Sequence, residues 1–329
     1  MRTNELVFYG TCDASGAVPL TDGAFAVGDD EDNVLRVYDA IRGGQPIAAV
    51  DVSDRLDLGK AKKKKKKPSA PKKPRRAPET DIEGATRVGD LAFWITSHGR
   101  NSSGKLKPER LRFFATTAPR EGALLQVVGA PYEGLLADLL ADPRYARFDL
   151  KAASELAPKD PGGLAIEGLT QRVEGGVFIG FRNPIPENRA LLVPLLNPTE
   201  VVHGEAPRFA DPVLIDLRGL GVRSMSWWRG RYLIAAGHYA SGGAAKLFAW
   251  DGRGAPQVVA AADFSGFNPE GFFTPEERDR IMVLSDDGSE IIDGTECKRL
   301  EDASRKRFRG MWLALPSASD AAEGSGPQQ

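Results

Sequence analysis

Two sets of polar side chains recur in step along this 329-residue chain, and together they bring carboxylates, imidazoles and guanidinium groups into one pattern. The first set opens short apolar runs and comprises Ser15, Glu83, Glu167, Ser224 and Glu270, in strings such as Asp81-Ile82-Glu83-Gly84-Ala85 and Asn268-Pro269-Glu270-Gly271-Phe272. The second set closes another apolar run 14 to 16 residues later: Asp29 and Asp30, His98 with Arg100 and Asn101, Arg182 with Asn183, His238 with Tyr239, and Asp286 with Asp287. Three kinds of chemistry suit such residues. Glu83, Glu167, Glu270, Asp286 and Asp30 form an oxygen-rich set that fits a hard cation, Ca²⁺ or Mg²⁺. His98, His238, Glu167 and Arg182 could act as general acid, general base and anion stabiliser on an ester or phosphoester, with Arg100, Asn101, Asn183 and Asp287 contacting the substrate. The same groups could also hold a small anionic or polyhydroxylated ligand without reaction.

Each feature also has a plainer structural use. An acidic pair after a strand caps its own turn, a glutamate at a fixed position can satisfy backbone donors, and Arg182 and Arg100 can neutralise carboxylates that would otherwise raise one another's pKa. Asp29-Asp30-Glu31-Asp32-Asn33 lacks the glycine and terminal glutamate spacing of a helix–loop–helix calcium site. No nucleophile elbow, paired-histidine zinc helix, Walker loop or dinucleotide-binding glycine pattern occurs, so the common hydrolase, zinc and nucleotide signatures are missing.

The elements that must position these residues repeat with them. The intervals along the first set are 68, 84, 57 and 46 residues, and subtracting two insertions leaves a period of 46 to 57. That period, with short apolar strands and glycine-rich turns, predicts a β-propeller with one four-stranded blade per repeat. Third strands are expected at Val34–Tyr38, Leu111–Ala115, Ala190–Pro194, Lys246–Trp250 and Gly310–Leu315. The last repeat offers only three strands, while Glu5–Tyr9 is a strand without a partner; pairing the two would close a five-bladed ring and remove its edges. Six blades would require a degenerate blade in 129–163, where the leucine spacing reads instead as a helix. The expected domain is 1–316, with a helical insertion at 131–158, a disordered basic insertion at 60–78 and a disordered tail at 317–329. In such a ring the two polar sets meet at one mouth of the central channel, where ligands commonly bind.

Composition narrows the class. The hydrophobic fraction is 41%, with 36 Gly and 23 Pro, as a turn-rich β protein requires. No run approaches the roughly 18 apolar residues of a membrane helix, and the start carries no evident signal peptide. A cytoplasmic, monomeric protein is expected, with Cys12 and Cys297 as buried free thiols, although ring closure could bring them together. The net charge of −1 conceals Lys60, Lys62 to Lys67, Lys72, Lys73, Arg75 and Arg76, without which 33 basic residues face 45 acidic ones. Such a strap could recruit a polyanion, nucleic acid or polyphosphate, through salt-sensitive contacts.

The strings Asp81–Thr86, Ser97-His98-Gly99-Arg100-Asn101, Gly163–Leu169, Phe181-Arg182-Asn183-Pro184 and Ser285–Gly288 resemble those of a bacterial family known as domain of unknown function 3616. The resemblance extends from the first repeat to about Pro316 and implies a β-propeller. That family is more distantly similar to esterase-like and phytase-like propellers, which is fold-level analogy; the lysine strap is not part of its pattern.

Overall fold

The structure is a computed structural model describing residues 5–21, 23–58, 77–119, 124–240, 242–260, 262–275 and 278–315. The basic insertion expected at 60–78, apart from its last two residues, and the tail expected at 317–329 lie outside the described residues.

Continuous apolar runs such as Phe93-Trp94-Ile95 and Ile281-Met282-Val283 form strands buried on both faces, because each blade is covered by its neighbours on either side. Five four-stranded antiparallel blades result. From the axis outwards, the first has Ala14–Thr21, Ala24–Asp29, Val34–Asp39 and Ala48–Asp51, and the second Ile82–Val88, Leu91–Thr96, Phe113–Thr117 and Val127–Tyr132. The third has Ala165–Gln171, Val177–Asn183, Ala190–Leu195 and Val213–Ile215, and the fourth Gly221–Trp228, Arg231–Gly237, Lys246–Trp250 and Gln257–Val258. Pro269–Phe273, Arg280–Ser285 and Arg307–Ala314 make the fifth, and its outermost strand is Glu5–Tyr9 from the other end of the chain.

The expected pairing of the first strand with the last blade forms, with Leu6 opposite Gly310 and Tyr9 opposite Arg307. Phe8 anchors it: fully buried, the ring stacks on Phe308 of the last blade at 5.0 Å and meets Phe25 of the first edge-on at 5.2 Å. A second closure corrects the reading of the cysteines. Cys12 and Cys297 are not free thiols but a disulfide spanning 285 residues. Cys12 leads into the first blade, and Cys297 follows a small ribbon, Ile291–Ile292 with Thr295–Glu296, inserted in the last blade. Closing the ring sets their Cα atoms 6.0 Å apart, a proximity that no sequence spacing reveals.

The helical insertion begins after Tyr132, which still belongs to a strand. Leu135–Ala141, a 3₁₀ stretch at Pro143–Phe148 and Leu150–Ala153 bury Leu135, Leu139, Tyr145 and Leu150 against the second and third blades, and no sixth blade forms among the described residues. No helix is long and apolar enough to cross a membrane among the described residues.

Both closures are testable by urea unfolding. Phe8→Ala is expected to lower stability by about 3–5 kcal/mol, as for a fully buried aromatic. Replacing both cysteines by serine is expected to cost about 2–5 kcal/mol with far-UV circular dichroism unchanged, since the hydrogen-bonded closure persists. A double-serine protein as stable as the parent would show that the strand closes the ring unaided.

Candidate functional site

One extra residue interrupts the innermost strand of every blade. In the second blade Ile82 pairs with Thr96 and Gly84 with Ile95, so Glu83 is left without a partner across the ladder. The same bulge isolates Glu167 in the third blade, Arg223 in the fourth and Glu270 in the fifth, while Ser15 and Gly16 together face Gly28 in the first. A bulge turns its side chain out of the regular alternation, and here it does so at the same level of all five innermost strands. Glycine follows the bulge glutamates of the second, third and fifth blades because neighbouring backbones crowd there: a Cβ on Gly271 would lie 2.6 Å from the Ser15 carbonyl oxygen, and one on Gly84 would lie 3.0 Å from that of Glu167. The bulge also corrects the fourth member of the polar set, which is Arg223 and not Ser224.

The ring divides into an acidic arc and an arginine arc. On the acidic side, oxygens of Asp30, Asp81 and Glu83 all lie within 4.8 Å of one another. Asp81 is buried in a left-handed conformation (φ 62°), a backbone region in which Asp is enriched among non-glycine residues. Its Oδ2 pairs with Arg110 Nη1 at 2.8 Å, whereas no cation forms an ion pair with Asp30 or Glu83 among the described residues. Asp30 Oδ1 is inaccessible to water and finds no hydrogen-bond partner. Burial, with the charges of Glu83 and Asp13, raises the Asp30 pKa far above the carboxylate range, and burial with Glu167 and Asp81 does the same to Glu83. Burial lifts Asp81 to about 6 against the opposing pull of Arg110 and of a hydrogen bond from Ser97. Nearby, burial and a hydrogen bond to Asp286 push Asp13 to about 10, and burial with Asp32 pushes Asp29 to about 8.

The third and fourth blades carry the compensating charge. Arg182 Nη1 donates to Glu167 Oε1 at 2.6 Å. Arg223 Nε lies 3.9 Å from Glu167 Oε2, and the Arg223 guanidinium also pairs with Glu270 and donates to Asn268 Oδ1 at 2.8 Å. Burial opposes the charge on Arg182, but Glu167, Glu83 and Asp286 outweigh it and hold the pKa above its ordinary value. For Arg223 burial prevails, helped by the neighbouring Arg182, and the pKa falls.

The remaining sequence candidates are placed elsewhere. Arg100 neutralises no acid of the ring: its Nε donates to the Ser154 carbonyl at 2.9 Å and its Nη1 to that of Gly104, fixing the helical insertion. Asn101 caps the turn to Lys105, and Asn183 Nδ2 donates to the carbonyls of Pro158 and Asp160. Asp287 forms a two-point pair with Arg309 at 2.7 and 2.8 Å, whereas Asp286 accepts from Asn268 Nδ2 at the mouth. His98 is buried, its Nδ1–H donating to the Thr96 carbonyl at 2.8 Å and its Nε2 unpartnered. His238 is exposed beside Tyr239. Neither imidazole contacts Asp30, Asp81 or Glu83. Asp13, Asp81, Arg110 and Arg223 were not recognised from sequence as site residues; the signal for Asp81 and Asp13 was their place two residues before a bulge position, and Arg223 becomes visible only when pairing defines the register.

Residues 111–262 match the profile of a protein family of unknown function, DUF3616. The resemblance noted from sequence motifs therefore holds over that span, while Asp81–Thr86, Ser97–Asn101 and Ser285–Gly288 fall outside it. No curated protein matches the chain. Among solved structures, the glutaminyl cyclase of Myxococcus xanthus is 12% identical with a TM-score of 0.46, over 95% of each chain. The PQQ-bound aldose sugar dehydrogenase of Streptomyces coelicolor is 11% identical with a TM-score of 0.42, over 94% of this chain and 98% of the other. At these values the likeness carries nothing about activity.

Burial holds the His98 pKa down at about 4, with Arg112 adding to the effect against the hydrogen bond to Thr96. An unfolded chain takes up a proton near pH 6.5 that the folded protein refuses, so the contribution of His98 is complete above that pH and is lost as pH falls towards 4. His98→Asn retains a donor for Thr96 and suits the left-handed backbone (φ 54°). Its melting temperature relative to the parent is expected to rise steadily between pH 6.5 and 4, and a pH-independent difference would remove His98 from the acid response.

Proposed function

We propose that the channel mouth binds a divalent cation of the calcium type on Asp30, Asp81 and Glu83, and that this cation helps hold a small anionic or polyhydroxylated ligand. The observation that carries the reading is the convergence of three carboxylates within 4.8 Å, of which, among the described residues, Asp30 and Glu83 have no ion pair and Asp30 Oδ1 has no hydrogen-bond partner. Like charges so placed are stabilised either by protons or by a cation. Asp30 and Glu83 retain partial exposure towards the mouth, which leaves a path for an ion. Calcium takes roughly 6–8 oxygen ligands, so three carboxylates leave positions for water and for ligand hydroxyl or anionic oxygens. Arg182 and Arg223 on the facing arc favour negative charge in that ligand. Binding is favoured over ester or phosphoester hydrolysis because neither histidine reaches the carboxylates, so the cluster lacks a neighbouring imidazole as general base.

The Cys12–Cys297 disulfide supports an oxidising compartment over the cytoplasmic location suggested by composition. A weak calcium site is consistent with that setting, where affinities of about 10⁻⁴–10⁻³ M suffice.

The test combines calorimetry and melting. In EDTA, carboxylates with raised pKa retain protons that the unfolded chain releases near pH 4, so stability is expected to fall as pH rises through about 6 for Asp81 and about 8 for Asp29. Each retained proton contributes a slope of about 1.4 kcal/mol per pH unit. Millimolar Ca²⁺ should displace the protons of Asp30, Asp81 and Glu83, leaving that of Asp29, and raise the melting temperature most at pH 8. Asp30→Asn and Glu83→Gln should melt at or above the parent in EDTA yet lose the Ca²⁺ response. If neither Ca²⁺ nor Mg²⁺ produces heat or a melting shift with the parent, the cation reading fails; metal-dependent turnover of nitrophenyl esters or phosphates would replace it with hydrolysis.

A further inference from the structure

A cavity of about 480 Å³ lies on the same face as the ring but farther from the axis, above the junction of the third and fourth blades. It is walled by Arg218 and Leu220 from one connection and by His238, Gly242 to Ala244 and Lys246 from the other. None of its lining side chains is acidic, and neither Arg218 nor Lys246 forms an ion pair among the described residues. A cavity of this size belongs to the range of small-molecule sites, and its charged groups are all of one sign.

The loops are fixed in a way that presents donors. Asp216 Oδ1 accepts the Arg218 backbone N–H at 2.7 Å, setting the turn in which Arg218 adopts φ 58°. Across the cavity, the Ala240 N–H donates to His238 Nδ1 at 3.1 Å. That bond occupies the Nδ1 lone pair, so neutral His238 carries its proton on Nε2 and this nitrogen is a donor in either charge state. The loop backbone is held from below by Arg182, whose Nε and Nη2 donate to the carbonyls of His238 and Ala240, each at 3.2 Å. Arg182 thus joins the cavity wall to Glu167 in the ring.

We infer that this cavity is a second, metal-independent ligand site, which takes a small organic phosphate with its phosphate against Arg218, His238 and Lys246 and its organic part against Leu220. Guanidinium, ammonium and imidazole donors around a site without carboxylates match a compact dianion whose oxygens all accept, and charge-assisted contacts of this kind are the stronger class of hydrogen bond. Leu220 adds an apolar wall that inorganic phosphate would leave unused. The site is built from blades three and four alone and requires no group of the acidic arc.

The probes are inorganic phosphate and phenyl phosphate, titrated into the full chain by calorimetry in EDTA, so that loss of the calcium reading leaves this one intact. Saturable binding is expected for both, tighter for phenyl phosphate, and weakening as salt rises. The double variant R218Q/K246Q alters two exposed side chains and should melt like the parent while losing about tenfold or more in affinity. His238→Phe should also weaken binding, by removing the Nε2 donor. No saturable binding to the parent, or undiminished binding to a normally melting double variant, would overturn the inference.

Discussion

The bulge in each innermost strand is the constraint on which both the packing and the site depend. Five blades must approach one axis closely enough to bury their inner strands, and their backbones meet at Gly84 and Gly271, where a Cβ has no room. An ordinary alternating strand would direct the neighbouring side chains into the blade interfaces. Inserting one residue at that level turns Glu83, Glu167, Arg223 and Glu270 towards the channel while the flanking residues continue the apolar pattern. Packing near the axis and convergence of charge at the axis are therefore one geometric event.

Convergence brings a desolvation cost that the molecule meets unevenly. The bulge carboxylates of the third and fifth blades are each answered by an arginine, as in Arg182–Glu167 and Arg223–Glu270. On the first and second blades, Asp13, Asp29, Asp30, Asp81 and Glu83 crowd together, the pull of Arg36, Arg110 and Arg182 does not offset their burial and mutual repulsion, and their pKa values all rise. Asp30 Oδ1 has no hydrogen-bond partner among the described residues, and a buried polar atom without a partner costs about 1–3 kcal/mol. The two arcs thus differ in how far their charges are balanced by ion pairs.

Closure keeps that geometry in register. Asp13 and Asp286 belong to the first and last blades and bridge each other across the seam. Cys12 adjoins Asp13, and the Cys12 carbonyl accepts the Asp287 N–H at 3.0 Å, so the disulfide sits beside the acidic arc. The Phe8 contacts hold the outer part of the same seam. The ends of the chain are thus tied at two radii, near the axis covalently and farther out by a strand.

Blade number, strand order and the closing strand were legible in the sequence because they depend on local patterns: apolar runs for doubly covered strands, glycine-rich turns, an unpaired first strand and a last repeat one strand short. Glu83, Glu167 and Glu270 were legible as a set for the same reason, since they recur in one local string. Arg223 was not, because its string reads Val222-Arg223-Ser224 without the following glycine, and only hydrogen-bond register defines which residue is extra. The roles of Arg100, Asn183 and Asp287 were equally hidden, as their partners Ser154, Pro158 and Arg309 come from distant segments. The disulfide was foreseeable only as a consequence of ring closure, since 285 residues separate the cysteines and no spacing distinguishes a pair from two free thiols. Sequence determined the repeating unit, whose forces act within a blade; tertiary structure decided which charges meet, because that follows from how five blades share one axis.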